Sequence, residues 1–309
     1  MNGAQGSVLA SAWERARSPA AQTFVTDLVA LGLGLLTSVQ LARWLGPEGR
    51  GELAAAMLWP MMLVYLSSVG QKEATIYFSA RKGSDLRPVF GAVSLFAAVQ
   101  SVLAVGVGYL LLPWLLSQQG PDVVQTSRTF LWVVPASLLS MYGMSMLQAR
   151  LHFRAYNALR LVIPSGYAAA VAMLHLAGSL TTTTAVMVQL ALNVVVLGGT
   201  LALLRVLRVV GFPRWDRELA GQMLGYGAKV HAGDVSQVAN LRLDQALLAA
   251  WFPPAQLGLY VAAASAASVA SLLSTSVRTV LTPRIAQNGG GGGGVRMLQH
   301  TFRRYWQLS

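Results

Sequence analysis

Charge is what this sequence has least of. Asp, Glu, Lys and Arg make up 11% of its 309 residues, against about 25% in an average soluble protein. A soluble domain of this length needs a charged skin that the chain does not have, so the composition excludes the ordinary globular class. Cysteine is absent, which rules out disulfides, thiolate metal sites and cysteine nucleophiles without fixing a compartment. The chain has no HExxH, GxSxG or CxxC pattern, and its histidines, His152, His175, His231 and His300, have no metal-ligand spacing. No constellation offers positive evidence for an enzyme. A secretory signal is missing too. Residues 1–20 are small and polar, with Glu14, Arg15 and Arg17 among them. The apolar run that follows is too long for a signal h-region and ends in Arg43-Trp44-Leu45-Gly46-Pro47 rather than at a cleavage site.

Apolar residues are there in excess, at 54%, with a mean hydropathy of +0.52. They come in long runs rather than in short alternating ones, which favours membrane helices over a barrel. Eight spans are expected, near residues 23–44, 52–78, 89–116, 127–147, 159–177, 182–204, 222–251 and 257–281, with the start of a ninth after them. Each reaches the roughly 20 residues that cross a bilayer. The 23 Lys and Arg test this map. With an inner N-terminus, only Arg43, Arg50 and Arg128 fall in outer segments, and Lys229 and Arg242 fall inside the seventh span; all the others are inner. This asymmetry sets the orientation, with the N-terminus cytoplasmic. The net charge of +12 is then a matter of topology rather than of nucleic-acid binding. Trp44, Trp59, Trp114, Trp132 and Trp251 fall mostly near span ends, as interface anchors do.

The chain also carries a faint internal repeat. At an offset of 207 residues Asp27 falls on Asp234, Trp44 on Trp251, Pro47 on Pro254 and Gly51 on Gly258. Six spans separate the copies, so both face the same way, giving a parallel repeat. The expected architecture is all-α and integral to the membrane: a segment 1–22, a six-helix bundle 23–208, a linker 209–221, and a second bundle 222–309 that is cut short. Gly289 to Gly294 form an unbroken run in an inner loop, where such density reads as a flexible linker.

The seventh span is unusually polar, with Lys229, His231, Asp234, Asn240, Arg242 and Asp244. At about 100° per residue, Lys229, Gly233, Ser236, Gln237, Asn240 and Asp244 share a stripe, while His231, Asp234 and Arg242 lie opposite. An unpaired charge facing lipid costs at least ~2.5–3.5 kcal/mol at mid-span. One reading turns the stripe to a watery cavity and pairs the other set with neighbouring helices; the other makes all of them structural ion pairs. In the first span Asp27 is either a polar site on one face or a helix-start carboxylate. Arg43 and Arg50 flank the turn at Gly46-Pro47, where they either attract a phosphate or, respectively, snorkel and pair with Glu48 or Glu52.

The stretch LARWLGPEGRGELA (Leu41 to Ala54) resembles the start of the polysaccharide-transporter flippases. LDQALLAAWFPPAQLGLYVAAAS (Leu243 to Ser265) and TVLTPRIA (Thr279 to Ala286) are similar to their second half. These are the O-antigen and capsule flippases of the multidrug/oligosaccharidyl-lipid/polysaccharide superfamily. The resemblance implies a cavity between two six-helix bundles. It also implies translocation of an undecaprenyl-diphosphate-linked oligosaccharide to the outer leaflet of the bacterial inner membrane, with a polysaccharide polymerase or export machinery as partners. Lys229 and Arg242 then become candidates for the diphosphate. Asp27 and Asp234, with Asp244 in the stripe, become candidates for a coupling H⁺ or Na⁺. The alternatives are a cation-coupled drug or solute antiporter of the same superfamily and a membrane enzyme acting on lipid-linked glycans. The short outer loops speak against the enzyme.

Overall fold

The structure is a computed structural model that describes residues 19–81, 85–211, 213–265 and 267. The chain divides into a unit that ends at Ala262 and a second that begins at Ala263. In the first unit the described residues form α1 (Pro19–Ser67), α2 (Gln71–Ser79), α3 (Leu86–Leu115), α4 (Pro121–Phe130), α5 (Val133–Ala149), α6 (Phe153–Leu176), α7 (Thr182–Val206) and α8 (Arg217–Trp251). Residues 254–262 are helical as well. In the second unit residues 263–265 and 267 are helical. The rest of the expected eighth span, the start of the ninth and the glycines 289–294 lie outside the described residues.

α1 is two crossings. Gly46 interrupts it with φ 69° and ψ 178°, and Pro47 follows. Only glycine reaches that backbone conformation without strain. Proline suits the first turn of the resumed helix, where an N–H would have no partner. The first arm, residues 19–45, lies along α6. Asn157 donates to Thr23 Oγ1 at 3.2 Å, Arg160 pairs with Asp27 at 2.5 Å, and at the far end Trp44 stacks on His175 with centroids 4.1 Å apart. The second arm, residues 47–67, starts beside the same far end, where Thr182 donates to Glu52 Oε2 at 3.0 Å. It finishes at Ser68, whose carbonyl accepts from Tyr142 and Gln100. The two arms therefore run in opposite directions.

Two expected spans are broken rather than continuous. The run 52–78 ends at Ser67; Val69 and Gly70 take positive φ before α2 begins. The freed carbonyl of Ser68 accepts from the Gln100 amide (3.3 Å) and lies 3.2 Å from the Tyr142 hydroxyl, whose single proton is shared with the closer Gln100 Oε1 at 2.6 Å. Internal partners of this kind are what allow irregular backbone at membrane depth. The run expected at 127–147 begins earlier, at Pro121, and is interrupted at Leu131 and Trp132. Among the described residues five stretches are long and apolar enough to cross a membrane, one of them Ala21–Ser67, which holds both arms of α1. α8, though 35 residues long, is too polar to qualify.

The polarity gradient is that of a protein solvated by lipid. On α3 the side chains of Val102, Leu110 and Trp114 point outward, about three-quarters exposed. Gln100, Ser101, Ser140, Ser145, Asn193 and Thr200 are buried. Small residues bring the helices close: the hydrogen of Gly143 on α5 faces Thr200 and Leu204 on α7, with no room for a side chain. The chain is a multi-pass, all-α membrane protein.

Candidate functional site

The second arm of α1 and α8 run antiparallel and enclose a cavity of about 580 Å³. Gly70 meets Gly227 at one end of it, and Gly51 meets Pro254 and Gly258 at the other. The α1 side supplies an apolar wall of Leu53, Met57, Leu58, Met61 and Met62, with Met141 from α5 beside it. Unbranched, polarisable methionines adapt to varied apolar shapes. The charges at the cavity are Arg50, Lys72, Glu73, Asp234 and Arg242. Lys72 and Glu73 pair at 3.4 Å.

The polar face of α8 falls where periodicity alone leaves it undecided. Asp234, Gln237, Val238, Leu241, Arg242 and Gln245 line the cavity. Gln237 is the one member of the expected stripe among them; Lys229, Ser236, Asn240 and Asp244 are exposed elsewhere on the helix. Ser236 bonds back to the Ala232 carbonyl at 2.9 Å. Asp244 accepts from the Tyr260 hydroxyl and from the backbone N–H of Gln245. Arg242 donates to Gln245 Oε1 at 2.9 Å. The azimuth of α8 is set by Gly227, which lies on the same face as Asp234 and Gln245 and packs against Gly70. That contact turns Asp234 and Arg242 inward.

Asp27 is away from the cavity. Its carboxylate holds Arg160, whose guanidinium also lies over the Tyr156 ring at 5.4 Å. Arg50 does not make the ion pair expected of it. Among the described residues it forms no ion pair, Glu52 is held by Thr182, and Arg50 Nε is buried without a hydrogen-bond partner. The methionine wall, Lys72 and Glu73 were not anticipated. The spacing Met57, Met61, Met62 was a signal, but it reads equally as a core face of a helix.

Comparison with known proteins decides the family. Residues 20–288 match the family described as polysaccharide biosynthesis protein. The chain belongs to it. Among curated proteins none matches. A solved structure described as the MATE multidrug transporter DinF-BH in complex with R6G has a similar fold, with a TM-score of 0.60 at 12% identity. The similarity covers 81% of this chain and 59% of that one, so the chain spans well under two-thirds of that transporter's length. This polysaccharide biosynthesis family member thus shares the fold of that structure.

Proposed function

We propose that the protein translocates an undecaprenyl-diphosphate-linked oligosaccharide across the bacterial cytoplasmic membrane, from an inner N-terminal side to the outer leaflet. One observation carries this reading: a single cavity sets an adaptable apolar wall, Met57, Met61 and Met62, opposite cationic Arg242, with Arg50 at one end holding a buried, unpartnered Nε. A lipid-linked diphosphate needs both surfaces, because its head group requires cations in a low-dielectric path and its carrier requires apolar contact. Arg242 is the side chain assigned to the diphosphate, with Arg50 beside the same path. Asp234 is the carboxylate assigned to a coupling H⁺ or Na⁺, and Asp27 a structural partner of Arg160. A polysaccharide polymerase or export machinery would receive the product. No step of this reading makes or breaks a covalent bond, so the protein is not proposed as an enzyme.

A strain lacking the gene and complemented with Arg242→Ala should accumulate lipid-linked repeat units and lose most surface glycan, while the folded protein stays in the membrane. Wild-type export from that variant overturns the assignment. A second reading, a cation-coupled exporter of lipophilic cations, is favoured by Glu73 and Asp234 beside the methionines. Saturable binding of R6G to the purified protein, lost in Asp234→Asn, would support the second reading over the first.

A further inference from the structure

The end of the first bundle away from Gly46 holds a second cavity, of about 570 Å³, that shares no lining residue with the first. Four stretches that are long and apolar enough to cross a membrane start or stop beside it, at Leu86, Ala149, Phe153 and Val206. The charge asymmetry of the sequence assigns this end to the cytoplasm. Among the described residues, the ionisable side chains around the cavity are Asp85, Arg87, Arg150, His152 and Arg208. Asp85, the single carboxylate, is held by Arg87 at 2.8 Å. The C-termini of α5 and α7 each add about half a negative charge and the N-terminus of α3 about half a positive one, so the cavity keeps a surplus of about one and a half positive charges. Arg214 adds to that field, since its positive charge also acts on Asp85. Its backbone N–H donates to the Arg87 carbonyl at 3.1 Å, which ties the connection after α7 onto α3.

The backbone around this cavity is strained in one particular way. α5 and α7 end alike: the His152 N–H returns to the Leu147 carbonyl, and the Val209 N–H to the Leu204 carbonyl, both at 2.9 Å. Such a closure puts the preceding residue in the left-handed region, a place usually taken by glycine. Here it is taken by Leu151, at φ 61°, and Arg208, at φ 51°. At the opposite end of the bundle α6 makes the usual choice, with Gly178 at φ 65° and the Ser179 N–H on the Leu174 carbonyl. Bulky side chains are disfavoured in this conformation, and strain of this kind gathers at binding sites. Both strained residues place a side chain that glycine would not supply. Arg208 lines the cavity, and Leu151 stands exposed next to Arg150 and His152, as Val206 does near Arg208.

We propose that the cavity bounded by Arg87, Arg150, His152 and Arg208 binds the phosphate of an anionic phospholipid, with Leu151 and Val206 set against its acyl chains. Guanidinium groups match phosphate oxygens in charge and geometry. Basic pockets between helices at the cytoplasmic side suit anionic head groups. A free phosphate ion would use the arginines but leave the exposed Leu151 and Val206 without a role. The site is built by the first bundle and the connection that leaves it, so it is separate from the cavity between α1 and α8 and does not depend on the cargo.

The test uses the purified full chain in a neutral detergent, titrated with dioleoylphosphatidylglycerol or dioleoylphosphatidylcholine. The thermal unfolding midpoint reads binding, because a ligand that binds only the folded form raises it. Phosphatidylglycerol should raise the midpoint saturably by several degrees, and phosphatidylcholine should not. Arg208→Gly removes the guanidinium and gives the left-handed position the residue it favours. Without lipid this variant should unfold no earlier than the parent, yet it should need several-fold more phosphatidylglycerol for the same rise. Arg150→Gln should weaken the response in the same direction. Arg128→Gln removes an equal charge at the opposite end of the bundle, where Arg128 donates to the Tyr109 carbonyl, and should respond to the lipid as the parent does. Equal responses to the two lipids, a parental response from Arg208→Gly, or a weakened one from Arg128→Gln overturns the proposal. An equal rise with inorganic phosphate alone also overturns it, by marking a free-anion site. No cargo enters the measurement, so its outcome and that of the export assay are independent.

Discussion

Gly51 and Gly258 lie against each other in reciprocal fashion: Gly51 faces the carbonyl of Pro254, and Gly258 faces the carbonyl of Pro47. The two glycines, and the two prolines, are the residues matched by the 207-residue repeat. A contact in which residue i of one copy meets residue j of the other, and the reverse, is what a two-fold axis produces. A parallel repeat, whose axis runs along the membrane normal, would bring its two copies together in this way.

The Tyr142 hydroxyl is tied to both Gln100 Oε1 and the Ser68 carbonyl. Tyr142→Phe keeps the ring and leaves Gln100 Oε1 without its donor in a dry core. The variant should lose about 1–3 kcal/mol of stability, seen as a lower thermal unfolding midpoint in detergent with little change in helix content by circular dichroism. An unchanged midpoint would mean that Gln100 Oε1 is satisfied without it.

Asp27 and Arg160 bind the first arm of α1 to α6. Their side chains are half to a third exposed in the protein, so a coupling of about 1 kcal/mol is expected from a double-mutant cycle of Asp27→Asn and Arg160→Met. Export should persist in the double variant if the pair is structural. Loss of export in Asp27→Asn that the second substitution does not restore would return Asp27 to the coupling machinery.

A Cβ on Gly143 would press on Thr200 and Leu204 across the contact of α5 with α7. Gly143→Val should therefore cost about 1–3 kcal/mol through overpacking. Gly106→Val, at a position with open space around it, is the matched control and should leave the unfolding midpoint near that of the parent.

Asp85 caps α3 by accepting from the Arg87 backbone N–H at 3.0 Å, and its carboxylate also holds the Arg87 guanidinium. The hydrogen bonds from Arg87 hold its carboxyl below the usual carboxylate range. A depressed folded value means the contribution is present above the unfolded pKa, about 4, and fades as pH falls through the lower folded value. Asp85→Ala should thus unfold at a lower temperature than the parent by a constant interval from about pH 5 to 8. The interval should narrow in acid below about pH 4; one that widened in acid would contradict the cap.

Asp234 and Glu73 both border the cavity, but Glu73 has Lys72 at 3.4 Å. Asp234→Asn should uncouple export from the ion gradient while leaving export down a cargo gradient measurable in vesicles. Equal loss of both would make Asp234 a cargo contact instead.

The sequence by itself determined the solvent and the helical class. Sparse charge and long apolar runs admit only a lipid-solvated helical chain, and the Asp27/Asp234 and Gly51/Gly258 matches are written in the chain. It also marked α8 as the exceptional helix, through charges too costly to face lipid. Tertiary structure alone decided which side of α8 faces the cavity. Polar residues occur all the way round that helix, from Lys229, Asn240 and Asp244 on one side to Asp234 and Arg242 on the other, so periodicity groups them without saying which group turns inward. The choice is made by packing: Gly227 of α8 closes against Gly70, and that contact sets the rotation of the helix. The breaks at residues 68–70 and 131–132 were hidden for a related reason. Their freed backbone groups are satisfied by partners far away in the chain, such as Tyr142 and Gln100 on the Ser68 carbonyl, and no local pattern records a partner that only folding brings near.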